Sequence, residues 1–327
     1  MASYIRRRKF LATLGVAAAW PLAARAQQRE RMRRIGVLLF GTPNTDPNLG
    51  AFLQGLRELG YIESQSVAID YRYAEGKPDR LRGLAGELVA TKPDLIFALG
   101  GDVAPSARVA TSTIPIVIAV SNDPVQAGLV TSLARSGNNI TGVTFVSSDL
   151  AAKRLQFLRD IVPTLKHVAV IWNPDHVDPE YRETQHAART LGIQIQSLEV
   201  RSAEDFDFAF QSTMNAGIQA LMPITSRLML TNRERIIEFS RERRLLLASG
   251  FGPWAREGAL LSYGPDTDAA TKRAAGYVDR ILRGAKPDEL PIEQPTKFQL
   301  VINGKTAKSL GLTIPPSLLA TADQVIE

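Results

Sequence analysis

Arg34-Ile35-Gly36-Val37-Leu38-Leu39-Phe40 is the stretch on which the fold turns. Six residues without a charge are too few for a buried helix and suit a strand covered on both faces. The next residues agree: Leu49, Phe52, Leu56 and Leu59 recur at helical spacing, and Gly60 ends the helix. Val67–Tyr73 alternates as a second strand. Leu81, Leu84 and Leu88 mark a helix closed by Lys92-Pro93, and Leu95–Leu99 is the next buried run. A short helix over Ala104–Ala110 leads to a strand over residues 114–120. Strands alternating with helices predict a parallel sheet covered by helices.

The pattern then restarts. Leu155, Leu158 and Val162 lie on a helix stopped by Pro163, with a strand over 168–172, a helix to Leu191 and a strand over 193–200 after it. Ser202-Ala203-Glu204-Asp205 resembles a capping box and opens a helix with Phe206 and Phe210 on one face. A strand over 220–222, a helix through Ile236 and Phe239 and a strand over 245–248 complete the second set. The expected fold is therefore α/β, with two doubly wound parallel-sheet lobes. Segments 140–148, 260–266 and 290–297 are extended and rich in Gly, Ser or Pro, and read as strands or linkers crossing between lobes. Residues 269–283 then form a helix returning to the first lobe, and the chain from Phe298 returns to the second, closing with a helix near Leu310. The expected boundaries are 33–143 with 265–289 for lobe 1, and 144–264 with 290–327 for lobe 2.

Residues 1–26 read as a cleaved leader: Arg6, Arg7, Arg8 and Lys9, a mild apolar run, then Ala24-Arg25-Ala26. Arg7-Arg8-Lys9-Phe10-Leu11 has the form of a twin-arginine export signal, and an ordinary Sec leader with a chance arginine pair is the alternative. The leader holds five of the 39 Lys and Arg and none of the 33 Asp and Glu, leaving 34 basic against 33 acidic residues. That near-neutral balance implies no nucleic-acid or acidic-membrane partner. Arg29, Arg31, Arg33 and Arg34 read as a solvated terminus more readily than as a basic arm. The chain has no cysteine, hence no disulfide, thiol nucleophile or lipidated cysteine anchor. No later run approaches the roughly 18 apolar residues of a membrane span. The expectation is a free, exported, periplasmic protein, and a monomer suits a receptor that must hinge.

A resemblance joins these pieces. Ile35-Gly36-Val37-Leu38, the helix end Gly55-Leu-Arg-Glu-Leu-Gly-Tyr61, Ser121-Asn122-Asp123-Pro124-Val125 with Gly128-Leu129-Val130, Asn139-Ile140-Thr141-Gly142-Val143, and Ala307-Lys308-Ser309-Leu310-Gly311-Leu312 with Ile314-Pro315 occur in order. Together they resemble the substrate-binding proteins of ABC transporters, from about Arg34 to Glu327. The resemblance implies a type I periplasmic-binding-protein fold, a multi-strand hinge, a small organic ligand held between the lobes, and a membrane permease as partner. Amino acids and aromatic acids are the plausible ligands. A receptor that reports the same ligand to a membrane signalling partner is the alternative.

Ligands of open parallel sheets bind beyond the carboxyl ends of the strands. The loops at 41–48, 100–106, 121–126, 173–179, 225–228 and 250–254 are the places to look. Asp123, directly after an apolar strand, reads equally as an acceptor for a ligand ammonium or hydroxyl and as a cap ahead of Pro124. Gly101, in the glycine pair after the third strand, and Ser121, beside Asn122-Asp123, are further candidates. Thr42, Ser106 and Ser147 could donate to a carboxylate or hydroxyl, with turn and cap duty as the alternative, and Thr225 opens a cleft loop. Phe251 and Trp254 could offer an aromatic face, although packing onto their own lobe accounts for at least one of them. Tyr263 sits on a crossing segment, where it would touch ligand or hinge.

Catalysis finds little material. Gly250-Phe251-Gly252-Pro253-Trp254-Ala255 matches G-x-G-x-x-A, but Pro253 and Trp254 crowd the turn and no long helix comes after it. There is no G-x-S-x-G elbow and no Walker loop. His167, His176 and His186 lack metal-ligand spacing, and Asp175-His176-Val177-Asp178 reads as a solvated loop more readily than a metal site. Scattered carboxylates such as Asp102, Asp123 and Asp266 are the only route to an enzyme. No cofactor and no catalytic activity are expected.

Overall fold

The computed structural model describes residues 32–145, 148–214 and 216–327. The leader, Arg29, Arg31 and Ser147 lie outside the described residues.

The first half builds β1 (Arg33–Leu39), α1 (Pro47–Glu58), β2 (Val67–Tyr73), α2 (Leu81–Ala90), β3 (Leu95–Leu99), α3 (Ala104–Ala110), β4 (Ile116–Val120) and β5 (Ile140–Thr144). The strands form one sheet in the order β2-β1-β3-β4-β5, with β1, β3, β4 and β5 paired in parallel. The apolar run of β1 is continuous because alternate residues enter different cores. Ile35, Val37 and Leu39 join Phe52 and Leu56 of α1, while Leu38 and Phe40 join Ala85 and Leu88 of α2. Phe52 stacks on Phe97 of β3 with ring centroids 3.8 Å apart, fixing α1 against the sheet.

The second half adds α4 (Ala151–Ile161), β6 (His167–Trp172), α5 (Glu180–Leu191), β7 (Gln194–Glu199), α6 (Asp205–Ser212), β8 (Ala220–Pro223), α7 (Arg227–Thr231), α8 (Arg233–Glu242), β9 (Leu246–Ser249), α9 (Pro253–Glu257) and β10 (Leu261–Pro265). After α10 (Thr267–Leu282) come β11 (Phe298–Asn303), α11 (Gly304–Leu310), α12 (Pro316–Thr321) and β12 (Gln324–Ile326). This sheet runs β12-β11-β10-β9-β8-β6-β7. It departs from the expected all-parallel arrangement at one pair, since β11 runs antiparallel to β10 with Leu261 opposite Ile302. The segment from Phe298 thus returns first as a strand, because a chain re-entering beside β10 from its far end can only pair in reverse. Half of the anticipated capping box forms: the Asp205 carboxylate accepts the Arg201 and Ser202 N–H groups ahead of α6.

Both sheets contribute to the crossings. The long helix α10 packs along α1, burying Ala274, Ala275 and Val278 with Phe52 and Leu56. Residues 290–297 then run beside β5, where the Thr144 N–H donates to the Glu293 carbonyl and the Glu293 N–H to the Gly142 carbonyl. Gly142 has φ +138°, and a Cβ there would lie 2.1 Å from the Ile118 carbonyl oxygen on β4. Gly142→Ala is therefore expected to cost at least about 2–3 kcal/mol, through strain and a clash with unyielding backbone. A melting temperature within a degree or two of the parent would refute this reading.

Candidate functional site

The switch in strand order falls between β1 and β3 in one sheet and between β6 and β8 in the other. The loops at the carboxyl ends of these strands meet one another there, where the topological rule places a ligand.

From the second sheet comes Arg227, the first residue of α7, held in position by the Ser226 cap on Met229. Its Nη1 donates to Asp46 Oδ1 at 3.2 Å and to Asn48 Oδ1 at 3.1 Å, both in the loop after β1 and at the start of α1. Asn48 is oriented for this by donating its own amide to Thr267 Oγ1 and Asp268 Oδ1 on α10. The Arg227 backbone N–H donates to Asp102 Oδ2 at 3.2 Å. The other Asp102 oxygen meets Nδ1 of His176, from the loop after β6, while His176 Nε2 lies 3.5 Å from Ser121 Oγ. Two carboxylates of the first sheet are thus paired with two basic groups of the second.

The Gly100-Gly101 pair makes room for this meeting. A Cβ on Gly100, whose φ is +121°, would lie 2.5 Å from Arg227 Cγ. One on Gly101 would lie 2.7 Å from both the Asn122 amide and His176 Cε1. Any side chain at either position would hold the loops apart.

Charge in this seam is set by burial. Burial pushes the Asp46 carboxyl up, and Arg227 together with the Leu49 and Asn48 N–H groups offsets this only in part. Burial acts the same way on Asp102, but there His176 and Arg227 prevail and hold the carboxyl below its ordinary value. Asp46 Oδ2 and Asn122 Oδ1 are buried acceptors with no hydrogen-bond partner among the described residues. Asn48 and Ser121, close to these two residues in the chain, line a residual cavity of ≈ 10 Å³ with Phe145, Ser226, Arg227, Phe251 and Thr267. That is room for about one water.

Behind the seam, Glu180 at the start of α5 pairs with Arg154 of α4, with side chains 2 % and 1 % exposed. Glu180 also accepts the Thr225 N–H at 3.0 Å, and Arg154 Nη1 donates to the Tyr263 carbonyl at 3.1 Å. This ion pair joins the cleft loop at Thr225 to the crossing strand β10.

The candidates named from the sequence distribute unevenly. Ser121 and Phe251 line the cavity, Gly101 packs closely against Asn122 and His176, and Thr225 sits one step behind on Glu180. Asp123 takes the cap alternative: its carboxylate accepts the Val125 and Gln126 N–H groups and the Gln126 side-chain amide. Thr42 bonds Thr45 within its own turn, and Ser106 lies half-buried on α3. Asp266 caps α10 through the Ala269 N–H. Trp254 is fully buried within its own lobe and packs against Phe251. Of its two expected places, ligand or hinge, the surroundings of Tyr263 favour the crossing strand. Its ring packs edge-on against Phe157, 5.3 Å away, and near Phe298, lining a groove of ≈ 450 Å³ at the α4 side of the second sheet. Alternation along β10 sends this side chain away from the cleft while its carbonyl serves Arg154. In the loop at 175–178, Asp175 and Val177 are exposed as expected of a solvated loop, but His176 is 5 % exposed. Arg227, Asp46, Asn48 and His176 lie inside the loops named from sequence, but no local signal singles them out as ligand groups.

Comparison with known proteins identifies the family. A model of the family described as ABC transporter substrate binding protein matches residues 35–326. The chain belongs to that family. A tyrosine-binding protein of Clostridioides difficile (strain R20291) is 25 % identical over 287 residues, covering 86 % of this chain and 82 % of the relative. A conserved domain protein from Vibrio cholerae superposes with a TM-score of 0.83 at 27 % identity, over 90 % of this chain and 100 % of that one. The ABC domain of Streptococcus pneumoniae in complex with L-Trp superposes with a TM-score of 0.82 at 25 % identity, with the same coverage. The fold is that of type I periplasmic binding proteins. No helix of the described residues is long and apolar enough to cross a membrane.

Proposed function

We propose that this protein is an exported receptor that closes its two lobes over an amino acid, preferably an aromatic one, and delivers it to the membrane permease of an ABC importer. The observation that carries the reading is the opposition of Arg227 to Asp46 and Asp102 across one seam, with two partnerless acceptors beside it. A zwitterion matches that set. Its carboxylate would take the Arg227 guanidinium, and its ammonium would donate to Asp46 Oδ2 and Asn122 Oδ1. Phe145 and Phe251, one from each side, would cover its apolar part. The relative named as tyrosine-binding and the similar structure in complex with L-Trp support the same ligand class.

The two bodies proposed to move are residues 33–143 with 265–289, and 144–264 with 290–327. Opening at the crossings would admit the ligand, and its contacts with both bodies would favour the closed form. Export is supported by the twin-arginine stretch and by Ala24-Arg25-Ala26.

Thermal melting of unfolded and refolded mature protein tests the reading against amino acids, aromatic acids, sugars and nucleosides. Tyr, Trp or Phe at a hundred times its dissociation constant should add about 2.7 kcal/mol of stability. Asp46→Asn should weaken that ligand tenfold or more, by removing a charge-assisted hydrogen bond of about 1.5–3 kcal/mol. A shift with sugars or nucleosides and none with amino acids would defeat the proposal.

A further inference from the structure

His176 is held by the second sheet, yet both its ring nitrogens face groups of the first. Nδ1 meets the Asp102 carboxylate and Nε2 faces Ser121. The side chain is 2 % exposed and that of Asp102 is 9 %. Such a contact exists only while the cleft is shut. We propose that the His176–Asp102 pair is a proton-linked latch, so that closing the cleft takes up a proton and alkaline conditions favour opening. The proposal rests on the reading that the lobes open and close around a ligand.

The charges around His176 define the latch. From the first sheet come Asp102 and the uncharged Ser121 and Asn122. From its own loop and the start of α5 come Asp178 and Glu180. Arg154 of α4 neutralises Glu180. Arg227 of α7 donates its N–H to Asp102 but commits its guanidinium to Asp46 and Asn48. Asp102 therefore has His176 as its direct side-chain counter-ion.

An imidazole facing water titrates near 6.5. In the shut cleft burial opposes the imidazolium, but the charge and hydrogen bond of Asp102, with Asp178 and Glu180, hold the ring above its ordinary value. By linkage, the latch acts fully below the open-form value and is lost as pH rises through the closed-form value. Each unit of separation between the two values changes the closed-to-open ratio by about tenfold. Asp178 titrates in the same window, pushed up to about 7 by burial first and the Glu180 charge second, so it must be tested apart.

The cysteine-free chain allows spin labels at two introduced cysteines, Val109→Cys on α3 and Met214→Cys beyond α6, both exposed positions. Electron-resonance distance distributions, taken without added ligand at pH 6 and pH 9, report the closed and open populations. The closed-to-open ratio should fall about tenfold or more across that range in the parent and in Asp178→Asn. It should change less than twofold in His176→Gln, and in Asp102→Asn it should flatten or reverse, because burial then opposes the imidazolium without its main counter-ion. A flat parent profile, or an undiminished slope in either latch variant, would overturn the proposal. So would loss of the slope in Asp178→Asn. Because no ligand is added, failure of the amino-acid reading would show separately, in the melting screen.

Discussion

Arg154→Met is expected to destabilise the protein by about 3–5 kcal/mol, the largest stability loss predicted for any single substitution. The side chains of Arg154 and Glu180 are almost wholly buried, so removing the guanidinium strands a carboxylate in a medium that solvates it poorly. Asp178 stands beside that carboxylate and adds like charge. The Tyr263 carbonyl also loses its Nη1 donor, loosening the second sheet at its crossing strand. Urea unfolding should show a lower midpoint with an unchanged slope. The double variant Arg154→Met, Glu180→Leu should recover much of the loss, since replacing a whole buried pair by apolar side chains is often neutral. A single-variant cost under about 1 kcal/mol would mean the two groups are not a buried ion pair.

Arg227→Met should act on binding instead. Truncating one partner of a buried, hydrogen-bonded charge pair typically costs about 2–5 kcal/mol, roughly 30-fold or more in Kd. Arg227 is 4 % exposed and is the group that would hold a ligand carboxylate. Arg227→Lys should fall between, keeping the charge while losing the planar fork that would hold a ligand carboxylate with two parallel hydrogen bonds. Calorimetric titration with the amino acid identified by the melting screen measures both. Unchanged affinity with a lowered melting temperature would make Arg227 a strut between the lobes and nothing more.

The loops were legible, because each comes after an apolar run whose length and flanking turn residues identify a strand. The choice of side chain within each loop was not. Asp46 stands before Pro47 and looks like a helix cap, and His176 lies among Asp175, Val177 and Asp178 in what looks like a wet turn. Asp123 looked like the better ligand group, yet its local alternative prevailed because the donors it needs are two and three residues away. A turn closes before distant loops can compete for the same carboxylate.

Hydrophobic period and punctuation by themselves determined two sets of strands and helices and their order, because backbone preference and burial of alternate faces act over a few residues. Tertiary structure alone decided that Asp46 would meet Arg227 and Asp102 would meet His176. Those partners lie 181 and 74 positions apart, and nothing in a local pattern records which loops two sheets will bring together. It also decided their chemistry, since a carboxylate that is ordinary in water becomes a charge in need of a partner only when the opposing sheet excludes the solvent.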